Sequence, residues 1–101
     1  MSGFKGMPGP WRAVDKRPYS DGFSIFSGNQ YVAFVGDSDG VTDYLSNANL
    51  IAAAPELLEA CLRMRNQLYA AGYEAEKDSL NPTKCLLAQV ESAIAKALGN
   101  N

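Results

Sequence analysis

The sequence predicts an α+β fold: a three-stranded antiparallel sheet followed by two or three helices packed on one face. Three observations predict it. Up to Val35 the apolar residues alternate or form short aromatic and β-branched runs, whereas beyond Gly40 they recur with a period near 3.6. Between the two lies "GDSDG" at 36 to 40, a turn-rich break. Strands first and helices after is the α+β order. A chain of 101 residues fits one domain, with a flexible arm at 1 to 10, a β segment at 11 to 35 and a helical segment at 41 to 99.

The arm holds three glycines and two prolines, so regular structure is expected only once Trp11 anchors it. "WRAV" (11 to 14) alternates apolar and polar residues and reads as a first strand. "DKRPYSDG" (15 to 22) follows as a loop, with Pro18 and an Asp-Gly step. "GFSIFS" (22 to 27) puts Phe23 and Ile25 on one face, "GNQ" (28 to 30) supplies a turn, and "YVAFV" (31 to 35) has the composition of a central strand.

A first helix is expected over 41 to 53, with Leu45, Ala48, Ile51 and Ala52 on one side and Asp39 or Thr42 as its cap. Pro55 then starts a second helix, because the N–H groups of a first turn have no intrahelical partner; one long helix kinked at Pro55 is the competing reading. Glu56 and Glu59 suit the positive end of the helix dipole. The second helix should run to about Ala71 with Leu58, Cys61, Leu62, Arg65, Leu68 and Tyr69 on its apolar face and Gly72 as its stop. After a polar connection at 73 to 84, Asn81-Pro82 opens a third helix whose stripe is Leu86, Leu87, Val90, Ile94, Ala97 and Leu98, ending at Gly99.

Composition narrows the function. Residues 1 to 40 carry four bases and four acids, and the whole chain has net charge −2. A protein that grips phosphates concentrates Lys and Arg, and here only Arg12, Lys16 and Arg17 cluster, with Asp15 among them, so nucleic-acid binding is not expected as the main function. The amino-terminal residues lack the apolar run of a signal peptide and no segment reaches the length of a membrane span, so a cytoplasmic protein is expected. Cys61 and Cys85 lack CxxC spacing and read as reduced thiols.

The chain contains no histidine, which removes Ser-His-Asp and Cys-His nucleophiles, histidine acid–base catalysis and nearly every usual zinc site. "GDSDGVTD" begins with the Asp37, Asp39 spacing of an oxygen-ligand loop. A calcium loop of the helix-loop-helix type would then need glycine and glutamate where Thr42 and Ala48 stand, so helix capping is the better reading and no metal is expected. Neither GxGxxG nor a P-loop is present, and no cofactor is implied.

"PGPW" at 8 to 11, "YVAFVGD" at 31 to 37 and above all "NANLIAAAPELLEACL" at 47 to 62 resemble a group of small phage and prophage accessory proteins with a PGPW opening and an "NARLIAAAPELLEAL"-like helical motif. The resemblance covers most of residues 8 to 64. Asn49 stands where the group often has arginine or histidine, and Cys61 where it often has leucine. The resemblance implies a phage-encoded protein and no defined activity. The residues themselves read as structural, with Leu50, Ile51, Leu57, Leu58, Cys61 and Leu62 packing two helices on each other and on the sheet.

A non-enzymatic interaction protein is therefore expected, in the host cytoplasm, binding and inhibiting or redirecting a host protein such as a bacterial defence component, a CRISPR complex being one example. The carboxylates Asp37, Asp39, Asp43, Glu74, Glu76 and Asp78 are its candidate contacts. The alternative is an oligomer that sequesters a signalling nucleotide between subunits with Trp11, Arg12, Arg17 and Tyr19. Self-association, as a homodimer, would cover leftover apolar helix surface under either reading.

Overall fold

The computed structural model describes residues 4–16, 22–36 and 44–100. Within these residues lie strands β1 (Trp11–Asp15), β2 (Gly22–Ser27) and β3 (Gln30–Gly36), then helices α1 (Tyr44–Ala52), α2 (Ala54–Ala70) and α3 (Pro82–Leu98). The expected α+β order is present. The sheet runs β1-β2-β3 with both pairings antiparallel.

Ser27 pairs with Gln30, which leaves Gly28 and Asn29 as a two-residue turn, and Gly28 has φ 58. A positive φ at the first central position is what tight hairpins ask of that residue, and glycine adopts it without a Cβ clash. The β2–β3 register then slips by one: Phe26 faces Tyr31 whereas Ile25 faces Ala33, so Val32 is an extra, bulged residue. Strict alternation from Val35 and Ala33 would turn Tyr31 toward the core. The bulge turns it to the other face, with Phe26 and Phe34.

The chain divides into two compact units, one of Lys5–Glu56 and one of Leu57–Asn101 joined by Phe4. In the first, Phe23, Ile25, Val35 and Ala48 form the core, with Trp11, Ala13, Val32, Ala33, Tyr44 and Ala52 packed around them. Tyr44, Ala48 and Ala52 are spaced by four and so share one face of α1, and it is this face that meets the sheet. Ala48 is 0% exposed, so a small side chain sets how closely the helix approaches.

This arrangement corrects the expected packing. Leu50 is 63% and Ile51 36% exposed, and Leu45 and Leu57 are exposed as well. None of them belongs to the sheet core or to the residues packed against it, a place that Tyr44, Ala48 and Ala52 take on the α1 side.

The second unit has its own cluster of Leu62, Val90 and Ile94, flanked by Leu58, Cys61 and Leu98. The expected stripes are largely recovered, except that Leu86, Ala97 and Tyr69 are exposed. The Tyr69 hydroxyl donates to Glu91 at 3.0 Å, and Arg65 lies 3.6 Å from the other Glu91 oxygen. The hydrogen bond to the carboxylate, followed by desolvation, raises the Tyr69 pKa above its ordinary 10.0.

Helix ends follow the expected chemistry. The Asn81 side chain accepts from the Thr83 N–H with Pro82 just inside α3, and Gly99 closes that helix at φ 75, its N–H on Lys96 and that of Asn100 on Ala95. α2 ends the same way: Gly72 has φ 95 and the Tyr73 N–H bonds to the Leu68 carbonyl. Ala53 separates α1 from α2, so Pro55 belongs to a second helix's first turn. Both cysteines are free.

Candidate functional site

The two stretches that carry the family resemblance meet in space. Trp11 Nε1 donates to the Met7 carbonyl at 3.2 Å and Ser27 Oγ to the Pro8 carbonyl at 2.6 Å, so the end of the arm is tied to β1 and β2. Gly9 then comes so near the buried Pro55 that a Cβ at position 9 would stand 2.7 Å from Pro55 Cβ. "PGPW" and "AAAPELLEA" are thus two sides of one structural junction. Their chemistry is close approach and hydrogen bonding, and the Glu56 carboxylate borders the contact, its Oε1 3.9 Å from the same Cβ position.

Strand alternation defines a second feature. Arg12 and Val14 of β1, Gly22, Ser24 and Phe26 of β2, and Tyr31 and Phe34 of β3 share the sheet face opposite α1. Phe26 and Tyr31 meet edge to face, 6.0 Å between centroids at 81°. The Arg12 guanidinium stands over Phe26 at 5.0 Å, also donating to the Gly28 carbonyl at 3.3 Å, and the Lys16 ammonium lies 5.8 Å from the same ring. Phe34 lies across the sheet toward Gly22, where an added Cβ would be 2.9 Å from its ring and would collide with the Val35 carbonyl oxygen. Gly22 and Ser24 in the middle of this face are buried, whereas Tyr31 is 54% and Phe34 45% exposed, so its open part is an aromatic platform along β3 with two cations beside Phe26.

The sequence-predicted residues are distributed as follows. Trp11 packs on the α1 side of the sheet and Arg12 on the other, so the two do not converge on one ligand. Arg17, Tyr19, Asp37, Asp39 and Asp43 lie outside the described residues, as do the proposed caps of α1. Glu74, Glu76 and Asp78 are exposed in the α2–α3 connection. Glu76 is engaged there: its carboxylate pairs with Lys84 at 3.2 Å and its N–H bonds to the Lys84 carbonyl. Cys85 donates to the Ser79 carbonyl at 2.9 Å, tying the same connection to α3.

A shallow depression of about 530 Å³ runs along α3 past Cys85, Ser92 and Ala93 between Lys77 and Lys96. Its walls are small side chains with no converging acid–base or metal-binding set. Among the described residues no three Cys, Asp or Glu side chains gather to hold a metal, and no helix is long and apolar enough to cross a membrane.

Comparison with family models yields a match over residues 1–101 to the one described as Salmonella phage P22 protein Y8K6. The chain belongs to that family. Membership makes this Y8K6-family chain a phage-encoded protein and assigns no activity to any of its residues. Comparison with curated proteins and with solved structures gave no match. For the Y8K6-family chain the candidate site is therefore its own surface: the sheet face opposite α1, which sequence reasoning missed, and the exposed Leu50 and Ile51 of α1, which it had assigned to the core. The signal for the first was present in the alternation of Arg12, Val14 and Phe26, but Tyr31 joins them only through the bulge.

Proposed function

We propose that this phage-encoded protein works without catalysis, by binding a host protein and inhibiting or redirecting it. The observation that carries the reading is the apolar exposure around α1: Leu50 points away from the sheet, Leu45 and Ile51 flank the Tyr44, Ala48 and Ala52 side that packs on it, and all three are exposed. Apolar side chains left in water on a small folded unit favour association, and buried at a partner's surface they become contact anchors. The absence of histidine supports a non-enzymatic role, since the commonest acid–base and nucleophile-activating group is missing.

A bacterial defence component that holds nucleic acid, such as a CRISPR complex, is the class of partner this reading favours. The acidic excess of the chain complements a groove lined by Lys and Arg. Glu74 and Asp78 would engage such a groove directly, Glu76 after leaving Lys84, and Asp37, Asp39 and Asp43 from outside the described residues. Sequestration of a signalling nucleotide is less well supported, because Trp11 and Arg12 occupy opposite faces of the sheet.

The test places a photo-crosslinking side chain at position 45 and captures partners in host cells, with and without Leu50→Asp. One host protein that crosslinks to the parent and is lost in Leu50→Asp, at unchanged melting temperature, supports the proposal. The same products with and without Leu50→Asp, or only crosslinks between copies of the chain, would refute it.

A further inference from the structure

We propose that the open face of the sheet binds single-stranded nucleic acid, bases stacking on Tyr31 and Phe34 while Arg12 and Lys16 hold the phosphates. The face lies opposite α1, so the inference stands apart from the host-protein reading and can fail without it.

The rings are presented to solvent and held in place. Tyr31 is braced edge-on by Phe26, and Phe34 rests toward Gly22, where the missing Cβ makes room for it. A ring already fixed loses little freedom when a base stacks on it, and every base offers a π face, so such a platform tolerates sequence. The cations are gathered at the same place: Arg12 and Lys16 both lie against Phe26. No Asp or Glu occupies a described strand position on this face; Asp15 alternates to the other side, opposite Phe23. In a chain of net charge −2 that is a local reversal of sign, and it selects an anion.

Openness selects among anions. A single nucleotide gains affinity from a concave pocket that covers most of its surface, whereas a strand can lay successive bases along a flat sheet. An acidic peptide would meet the cations and leave the rings uncovered. A duplex keeps its base faces stacked internally and could use the cations alone.

The test is fluorescence polarisation of labelled oligothymidine of about ten nucleotides, titrated with the full chain at low and moderate salt. Binding should weaken on the order of ten- to a hundredfold in Tyr31→Leu or Phe34→Leu, which keep apolar bulk and remove the stacking plane. Tyr31→Phe should retain it. The slope of log K against log salt should be shallow, about −0.7 for each phosphate contact, and Arg12→Gln should remove about one such contact. Tyr31→Trp supplies a readout independent of affinity, since a tryptophan on the platform is quenched when a base stacks on it.

No saturable binding up to millimolar protein would overturn the proposal. So would equal affinity in the leucine variants, an unquenched Tyr31→Trp, or competition by duplex DNA, polyglutamate or thymidine monophosphate as effective as the unlabelled strand. Melting curves accompany each variant, and if a leucine variant does not fold, the Tyr31→Phe and Tyr31→Trp pair decides the matter.

Discussion

Exchanging alanine and leucine at two neighbouring positions of α1 separates the side of the motif that packs from the side that does not. Ala48→Leu adds bulk at a residue 0% exposed and in contact with Phe23, Ile25 and Val35 as members of one cluster. Overpacking a closed contact costs about 1–3 kcal/mol. Leu50→Ala removes bulk at a residue 63% exposed. Burying a leucine fully is worth about 1.5–3 kcal/mol, so the third of it that is covered here contributes about 0.5–1 kcal/mol. Helix preference favours alanine over leucine by a few tenths of a kcal/mol, so it acts in the same sense as the expected difference but is too small to produce a loss of about 1 kcal/mol or more in Ala48→Leu. The assay is urea and thermal unfolding followed by Trp11, the single tryptophan, which packs against this cluster. A unit of this size shifts its Tm by about 4–8 °C per kcal/mol. Ala48→Leu should therefore lower it by roughly 4 °C or more, and Leu50→Ala by no more than about 8 °C, with Ala48→Leu always the larger loss. If Leu50→Ala costs as much as Ala48→Leu, the conventional reading of the motif as core is right and the outward face is not a free surface.

Four further outcomes are expected. Gly9→Ala should destabilise the sheet unit by about 1–3 kcal/mol, because its Cβ would stand 2.7 Å from Pro55 Cβ, and Trp11 fluorescence should report it. Asn81→Ala should cost about 1 kcal/mol of α3 stability, read by circular dichroism, through loss of the cap on the Thr83 N–H. Tyr69 should titrate at lower pH in Glu91→Ala, seen as the difference in tyrosinate absorbance against Tyr69→Phe. Because the folded-state pKa is raised above 10.0, whatever this contact contributes is present below pH 10.0 and disappears as pH climbs through that higher value. Finally, both thiols should react with a disulfide reagent in unfolded protein without prior reduction, and reductant should leave the Tm unchanged, since Cys61 and Cys85 are free.

Much of the fold was legible because short-range chemistry dictates it. GFSIFS is a strand over the same residues that the alternation marks, Gly72 and Gly99 stop their helices in left-handed or near-left-handed conformations, and Asn81-Pro82 opens α3. The assignment of Leu50 and Ile51 to the core failed for a reason that periodicity does not contain. An apolar stripe on a helix is wider than the contact it makes, and which sector is buried depends on the partner's shape; here alanines face the sheet. The open sheet face was equally hidden. Overall charge and the run Arg12, Asp15, Lys16 suggested no phosphate-binding surface, yet alternation sends Asp15 to one side of the sheet and Arg12 to the other.

By itself the sequence determined where strands give way to helices, where each described helix after Pro55 starts and stops, and that histidine chemistry is excluded. These follow from nearest-neighbour sterics, capping and composition, which need no knowledge of distant residues. Tertiary structure alone decided that Gly9 meets Pro55, that Ala48 and not Leu50 touches the sheet, and that one bulged residue, Val32, turns Tyr31 outward beside Phe34. Each of these depends on how closely two separately specified segments approach, and closeness of approach is a property of packing that no local pattern encodes.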